Sequence, residues 1–204
     1  MDNTVLEAMS MKYLLAVMIV ALLGISAQAF ADDWDDALVI YESGNYKSAH
    51  EKMRILAEKG NSPAQFTLGV MYENGQGVAR DYKEAVKWYK VAADKGYPEA
   101  QFNLGGMYFR GNGVLPDNRE AAKWYQLAAE QGHNKAQNNL GGMFFQGKGV
   151  ITDYVQAHMW ANLAVINGNA NALKSRETVE SRMTPEQIAE ANRLANEWLE
   201  KHKK

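Results

Sequence analysis

Apolar positions in the middle of the chain recur with helical spacing. Ala85, Trp88, Tyr89, Ala92 and Ala93 stand at i, i+3, i+4, i+7 and i+8, the stripe of one helix face. Ahead of them Ala64, Leu68 and Tyr72 step by four, which predicts a first helix antiparallel to the second. The pair then returns. Ala64, Ala100, Ala136 and Ala172 are 36 residues apart, as are Gly69, Gly105 and Gly141, and Trp88, Trp124 and Trp160. Tyr72, Tyr108 and Phe144 keep the same interval, and Gly60, Gly96, Gly132 and Gly168 close each unit. A fixed period of this length marks stacked supersecondary units that bury their apolar faces on one another.

Between the two helices lies Gly-x-Gly-Val-x-x-Asp, at Gly75 to Asp81, Gly111 to Asp117 and Gly147 to Asp153. Its chemistry is structural. Gly75 can take the positive φ that ends the first helix, and Gly77 lets the chain turn back. Val78 supplies an apolar side chain to pin the loop. Asp81 with Glu84 reads as an N-cap in a D-x-x-E capping box, a pattern that Asp117 with Glu120 and Asp153 with Gln156 repeat. Each cap is worth about 1 kcal/mol.

Taken together, Ala-x3-Leu-Gly-x2-Tyr, Gly-x-Gly-Val-x2-Asp and Ala-x2-Trp-Tyr-x2-Ala-Ala-x2-Gly, as they run from Ala64 to Gly96, resemble the Sel-1-like repeat, a subclass of the tetratricopeptide repeats. The resemblance implies an all-α fold: an α-solenoid of antiparallel helix hairpins with a C-terminal capping helix. Residues 61–168 hold three 36-residue units, and the third departs from the pattern at Ala161, where Tyr89 and Tyr125 stood. Residues 32–60, with Trp34, Ala37, Leu38, Tyr41, Ala49, Met53 and Ala57, read as a plainer tetratricopeptide-like hairpin. Residues 169–204 read as capping helices. There Thr184-Pro185-Glu186-Gln187 is a strong helix start, and Ile188, Ala191, Leu194, Ala195, Trp198 and Leu199 form an amphipathic stripe.

The first thirty-one residues have another character. Lys12 precedes an apolar run from Tyr13 to Ile25, followed by Ala27-Gln28-Ala29 and Ala29-Phe30-Ala31, the layout of a cleaved secretory signal. Cleavage after Ala29 or Ala31 leaves the chain periplasmic or secreted, with no stable membrane span. Asp2 and Glu7 acidify a segment that ought to be positive, so Met9 or Met11 makes a better start than Met1; an uncleaved signal anchor is the alternative.

Composition narrows the chemistry. The chain of 204 residues has no cysteine, which excludes a disulfide framework, a thiolate metal site and a cysteine nucleophile. With 22 Lys+Arg against 24 Asp+Glu it lacks the basic excess of a nucleic-acid binder. The G-x-G motif has no third glycine and no preceding strand, so it is no phosphate loop. There is no G-x-S-x-G, and His50, His133, His158 and His202 lack helical metal-ligand spacing. His50 and His158 read as exposed or edge positions. Met71, Met107, Met143 and the three tryptophans read as core. No catalytic residue, metal or cofactor is expected.

In the tetratricopeptide relatives the first helix of each unit lines a concave groove for a peptide or partner helix. Carried onto this sequence, the corresponding positions are Phe66, Val70 and Glu73 in the first unit. Phe102, Asn103, Phe109 and Arg110 follow in the second, and Asn138, Asn139, Phe145 and Gln146 in the third. Aromatic anchors among amides suit a peptide backbone. Gly106 and Gly142, costly inside helices, serve either close packing or room for a ligand. The expected function is a non-catalytic protein-interaction scaffold of the cell envelope. The alternative is a secreted hydrolase or a β-lactam- or peptidoglycan-binding protein, an activity credited to cysteine-rich secreted relatives whose cysteine pairs this chain lacks. Recognition of a glycan or small molecule by the Phe/Asn surface is a third reading.

Overall fold

The computed structural model describes residues 33–202, so the leader segment expected at 1–31 lies outside the described residues. Among the described residues ten helices follow one another. An opening helix α1 (33–42) leads into α2 (Tyr46–Glu58). The three periodic units are α3 (Ser62–Asn74) with α4 (Tyr82–Asp94), α5 (Pro98–Arg110) with α6 (Asn118–Glu130), and α7 (Asn134–Gln146) with α8 (Tyr154–Ile166). A short α9 (Ala172–Glu180) and a longer α10 (Pro185–Lys201) close the chain. Each helix packs chiefly on its sequence neighbours, except that α10 folds back onto α8. This is the all-α solenoid that the periodicity predicts.

The period works through backbone satisfaction. Gly75, Gly111 and Gly147 end the first helices in the left-handed region, at φ 72°, 72° and 66°. The loop is then closed by the N–H of Asp81, Asp117 and Asp153, which donates to the carbonyl of Tyr72, Tyr108 and Phe144 at 2.9, 2.9 and 3.1 Å. Gly113 has a second reason to be glycine: a Cβ there would overlap the Tyr82 carbonyl, because the loop lies on the start of α4. Asp81 and Asp117 cap their helices through one oxygen, at 2.8 and 3.1 Å from two successive N–H groups in each case. The reciprocal half of the expected capping box is missing. Glu84 and Glu120 turn outward to Lys87 and Lys123, and among the described residues only Thr184 with Gln187 forms both halves.

The core holds the periodic alanines, leucines and methionines, with Met71, Met107 and Met143 all buried. Tyr89 and Tyr125 lie against Gly69 and Gly105, where a Cβ would collide with the rings. One set of buried side chains is polar. Gln65, Gln101 and Gln137, also 36 apart, donate through Nε2 to the carbonyls of Ala57, Ala93 and Ala129 at 2.9, 3.2 and 3.1 Å. Those carbonyls sit near the end of the preceding helix, so each glutamine ties its unit to the one before. The far end of the same unit answers at two of the three places: Gln131 donates to Gln101 at 2.8 Å and Asn167 to Gln137 at 2.9 Å. At the first, Lys95 reaches back to the Gly60 carbonyl instead, and Gln65 Oε1 is buried without a partner among the described residues.

Of the two helix histidines, His158 corrects the sequence expectation of an exposed or edge position. His50 is half-buried, edge-on to Tyr72 at 5.5 Å. His158 is 1% exposed, and its Nε2 lies 2.8 Å from Glu180 Oε1 on α9. Arg176 shares that carboxylate at 3.4 Å and donates to Asn162 at 3.1 Å, so α9 is bolted to α8 through a polar cluster. The expectation failed because the covering helix lies outside the repeat register.

Candidate binding groove

Helices α5, α7 and α9 form one face of the solenoid, and two cavities open on it. The first, about 440 Å³, is lined by Phe109 and Arg110 of α5, Asn138, Asn139, Gly142, Met143 and Gln146 of α7, Lys148, Ser175 of α9, and Tyr125. The second, about 360 Å³, is lined by Phe102, Asn134, Lys135 and residues 168–171, and shares Asn138 and Asn139 with the first. They make one continuous groove through those two asparagines.

Of the sequence-predicted positions, Phe102, Phe109, Arg110, Asn138, Asn139 and Gln146 come together here. The other five line neither cavity. Phe66 packs between Tyr89 and Tyr97, at 5.9 and 5.5 Å, and Val70 belongs to the same apolar cluster. Asn103 hydrogen-bonds the Tyr89 phenol, and Glu73 accepts from that phenol at 2.6 Å. Phe145 turns to Tyr154, at 5.6 Å. Its counterpart Phe109 has Asn118 at the matching place on α6, so no ring claims it. It stays open to the groove with the Lys148 ammonium 5.5 Å from its ring centroid.

Burial pushes the Tyr89 and Tyr125 phenols above the usual tyrosine range, against the hydrogen bonds of Asn103 and Asn139. Both phenols therefore remain protonated donors. Asn139 is thus partly committed to Tyr125, whereas the Oδ1 of Asn138 is buried with no partner among the described residues. The two helix glycines separate. A Cβ at Gly106 would stand 3.0 Å from the Arg110 guanidinium, so this glycine lets the side chain lie back on α5. Nothing lies within 4 Å of a Cβ at Gly142, which borders open groove. Phe102 is more structural than an anchor should be: it is half-buried, tilted on Tyr125 at 5.7 Å and stacked on His133 at 4.7 Å.

Lys148, Ser175 and residues 168–171 were missed at the sequence level. Ser175 was findable, since it stands 36 residues after Asn139. Among the described residues no group of three or more His, Asp or Glu is placed to hold a metal ion, and no helix is long and apolar enough to cross a membrane.

The family model described as Sel1 repeat matches residues 62–97, 98–133 and 134–169. A solved Sel1 repeat protein from Oxalobacter formigenes is 33% identical, over 69% of this chain and 58% of its own, with a TM-score of 0.67. The c5321 protein of uropathogenic Escherichia coli, a protective antigen with an SLR fold, is 34% identical over 76% of this chain and 41% of its own, with a TM-score of 0.58. The chain thus spans well under two thirds of both. Cysteine-rich protein B of Helicobacter pylori, at 20% identity, shares the fold over 63% of this chain and 95% of its own, with a TM-score of 0.53. No curated protein matches the chain.

Proposed function

Because the chain belongs to the Sel1 repeat family, whose fold is generally a protein–protein interaction scaffold, we propose that it is a non-catalytic adaptor of the cell envelope, exported by residues 1–31. It holds a peptide segment of a partner across α5, α7 and α9. The observation that carries this reading is the continuous groove, with an exposed aromatic ring at one end and amides along its floor. A peptide presents a backbone donor and acceptor at every residue, and Asn138 and Gln146 can meet both kinds. A rigid wall needs no ordering on binding, which preserves affinity.

The test is in-cell photocrosslinking. A photoreactive residue at position 109 or 146 is expected to capture a partner, and one at Lys87, on the outer side of α4, is expected to capture none. Capture from position 87 alone overturns the groove assignment. Incubation with nitrocefin and peptidoglycan fragments is expected to show no turnover; turnover abolished by a single side-chain change overturns the scaffold reading.

A further inference from the structure

The charge of the groove differs from that of the molecule. The whole chain carries 24 acidic and 22 basic residues, yet the two cavities together are lined by Arg110, Lys148 and Lys135 and by no carboxylate. Arg110 is held in place. Gly106 gives its guanidinium room on α5, and Glu73, fixed by the Tyr89 phenol, lies 3.6 Å from one terminal nitrogen. A guanidinium has five N–H donors, so one carboxylate at that distance leaves most of them for a ligand. Across the cavity the Lys148 ammonium lies over the Phe109 ring. Gly142 leaves the floor of the same cavity open beside Asn138.

Resting on the groove reading above, we propose that the partner segment is an acidic peptide, with an internal aspartate or glutamate seated between Arg110 and Lys148. Its backbone then runs past Asn138 into the second cavity near Lys135. The charged contact gives partner choice and a salt-sensitive approach rate.

The experiment uses a pool of randomised decapeptides, N-acetylated and C-amidated so that no terminal carboxylate is present, passed over the immobilised protein. Bound peptides are expected to be enriched in Asp or Glu at one position. Replacing that residue by its amide, or making Arg110→Gln or Lys148→Gln, is expected to weaken binding about tenfold in each case, with further loss at high salt. Both cations are exposed, so the melting temperature should not move, and Lys87→Gln serves as the inert control. Binders without acidic enrichment that respond to Gln146→Ala but not to Arg110→Gln overturn the acidic assignment and leave the groove standing. Absence of any binder, or binders indifferent to Phe109→Ala and Gln146→Ala, overturns both.

Discussion

Helices α4 and α6 on one hand, and α8 on the other, occupy equivalent places in successive units but present different outer faces. On α4 and α6 that face carries Lys87 and Lys123, paired with Glu84 and Glu120. The register position of Lys123 is filled on α8 by Met159, which is buried. One turn on, Ile55, Val91 and Leu127 are 49%, 41% and 37% exposed on the earlier helices, whereas Leu163 is fully buried. Leu163 lies in the cluster that Ala191, Ala195, Trp198 and Leu199 of α10 join. A unit with a wet outer face can stand on its neighbours alone. A unit apolar all round needs a further layer, which α10 provides. Stopping the solenoid is thus written into the last repeat as well as into the cap.

The sharpest way to break this comparison is the same truncation at both places. Leu163→Ala should cost about 3 kcal/mol by denaturant unfolding and Leu127→Ala less than about 1, since only the first empties a closed site. Equal losses would mean that α10 contributes nothing to α8. Next is the bolt to α9. His158→Ala removes one of the two partners of Glu180 and should cost about 2 kcal/mol, with faster amide exchange across α9 and little change in α4. Third is a cap that senses acid. His133 caps α7, its Nδ1 accepting from the Ala136 N–H at 3.2 Å, and burial holds its imidazole below the ordinary 6.5. The folded chain therefore takes up that proton less readily than the unfolded one. The stability it contributes is complete above about pH 6.5 and is lost as pH falls through the depressed value. His133→Asn installs the residue that caps α3, Asn61, and should flatten the fall in melting temperature between neutral and mildly acidic buffer. An unchanged slope assigns the acid sensitivity elsewhere. The smallest effect belongs to the wet face: Lys123→Ala should stay within about 0.5 kcal/mol, since exposed pairs stabilise little.

Much of this architecture was legible because repetition amplifies weak signals. One glycine before a turn is ambiguous, but Gly75, Gly111 and Gly147 with three following aspartates define a hairpin. The glutamine ties stand in the same period, but an amide on a helix reads as surface until its partner carbonyl is located. What periodicity could not reveal lies where it ends. The burial of His158 depends on Glu180, which has no counterpart in the units before it, and the apolar outer face of α8 needed a helix from outside the register. The groove was half legible for a related reason. Position along α5 and α7 names the candidates, but Asn118 or Tyr154 on the next helix decides whether Phe109 or Phe145 is left open.

The glutamine ties also give the molecule a direction. The first junction has a lysine where its successors have an amide, and it keeps a buried acceptor unanswered. In the second unit Gln131 instead turns inward to Gln101, and in the third Asn167 turns inward to Gln137, with two additional contacts inside that unit, Asn134 to the Asn167 carbonyl at 2.8 Å and Asn169 to the Asn134 carbonyl at 3.2 Å. Under tension applied to the two ends, the first junction is crossed by two of these side-chain bonds and the next two by one each, while the inward pairs hold α5 and α7, the helices that line the groove, to the ends of their own partners.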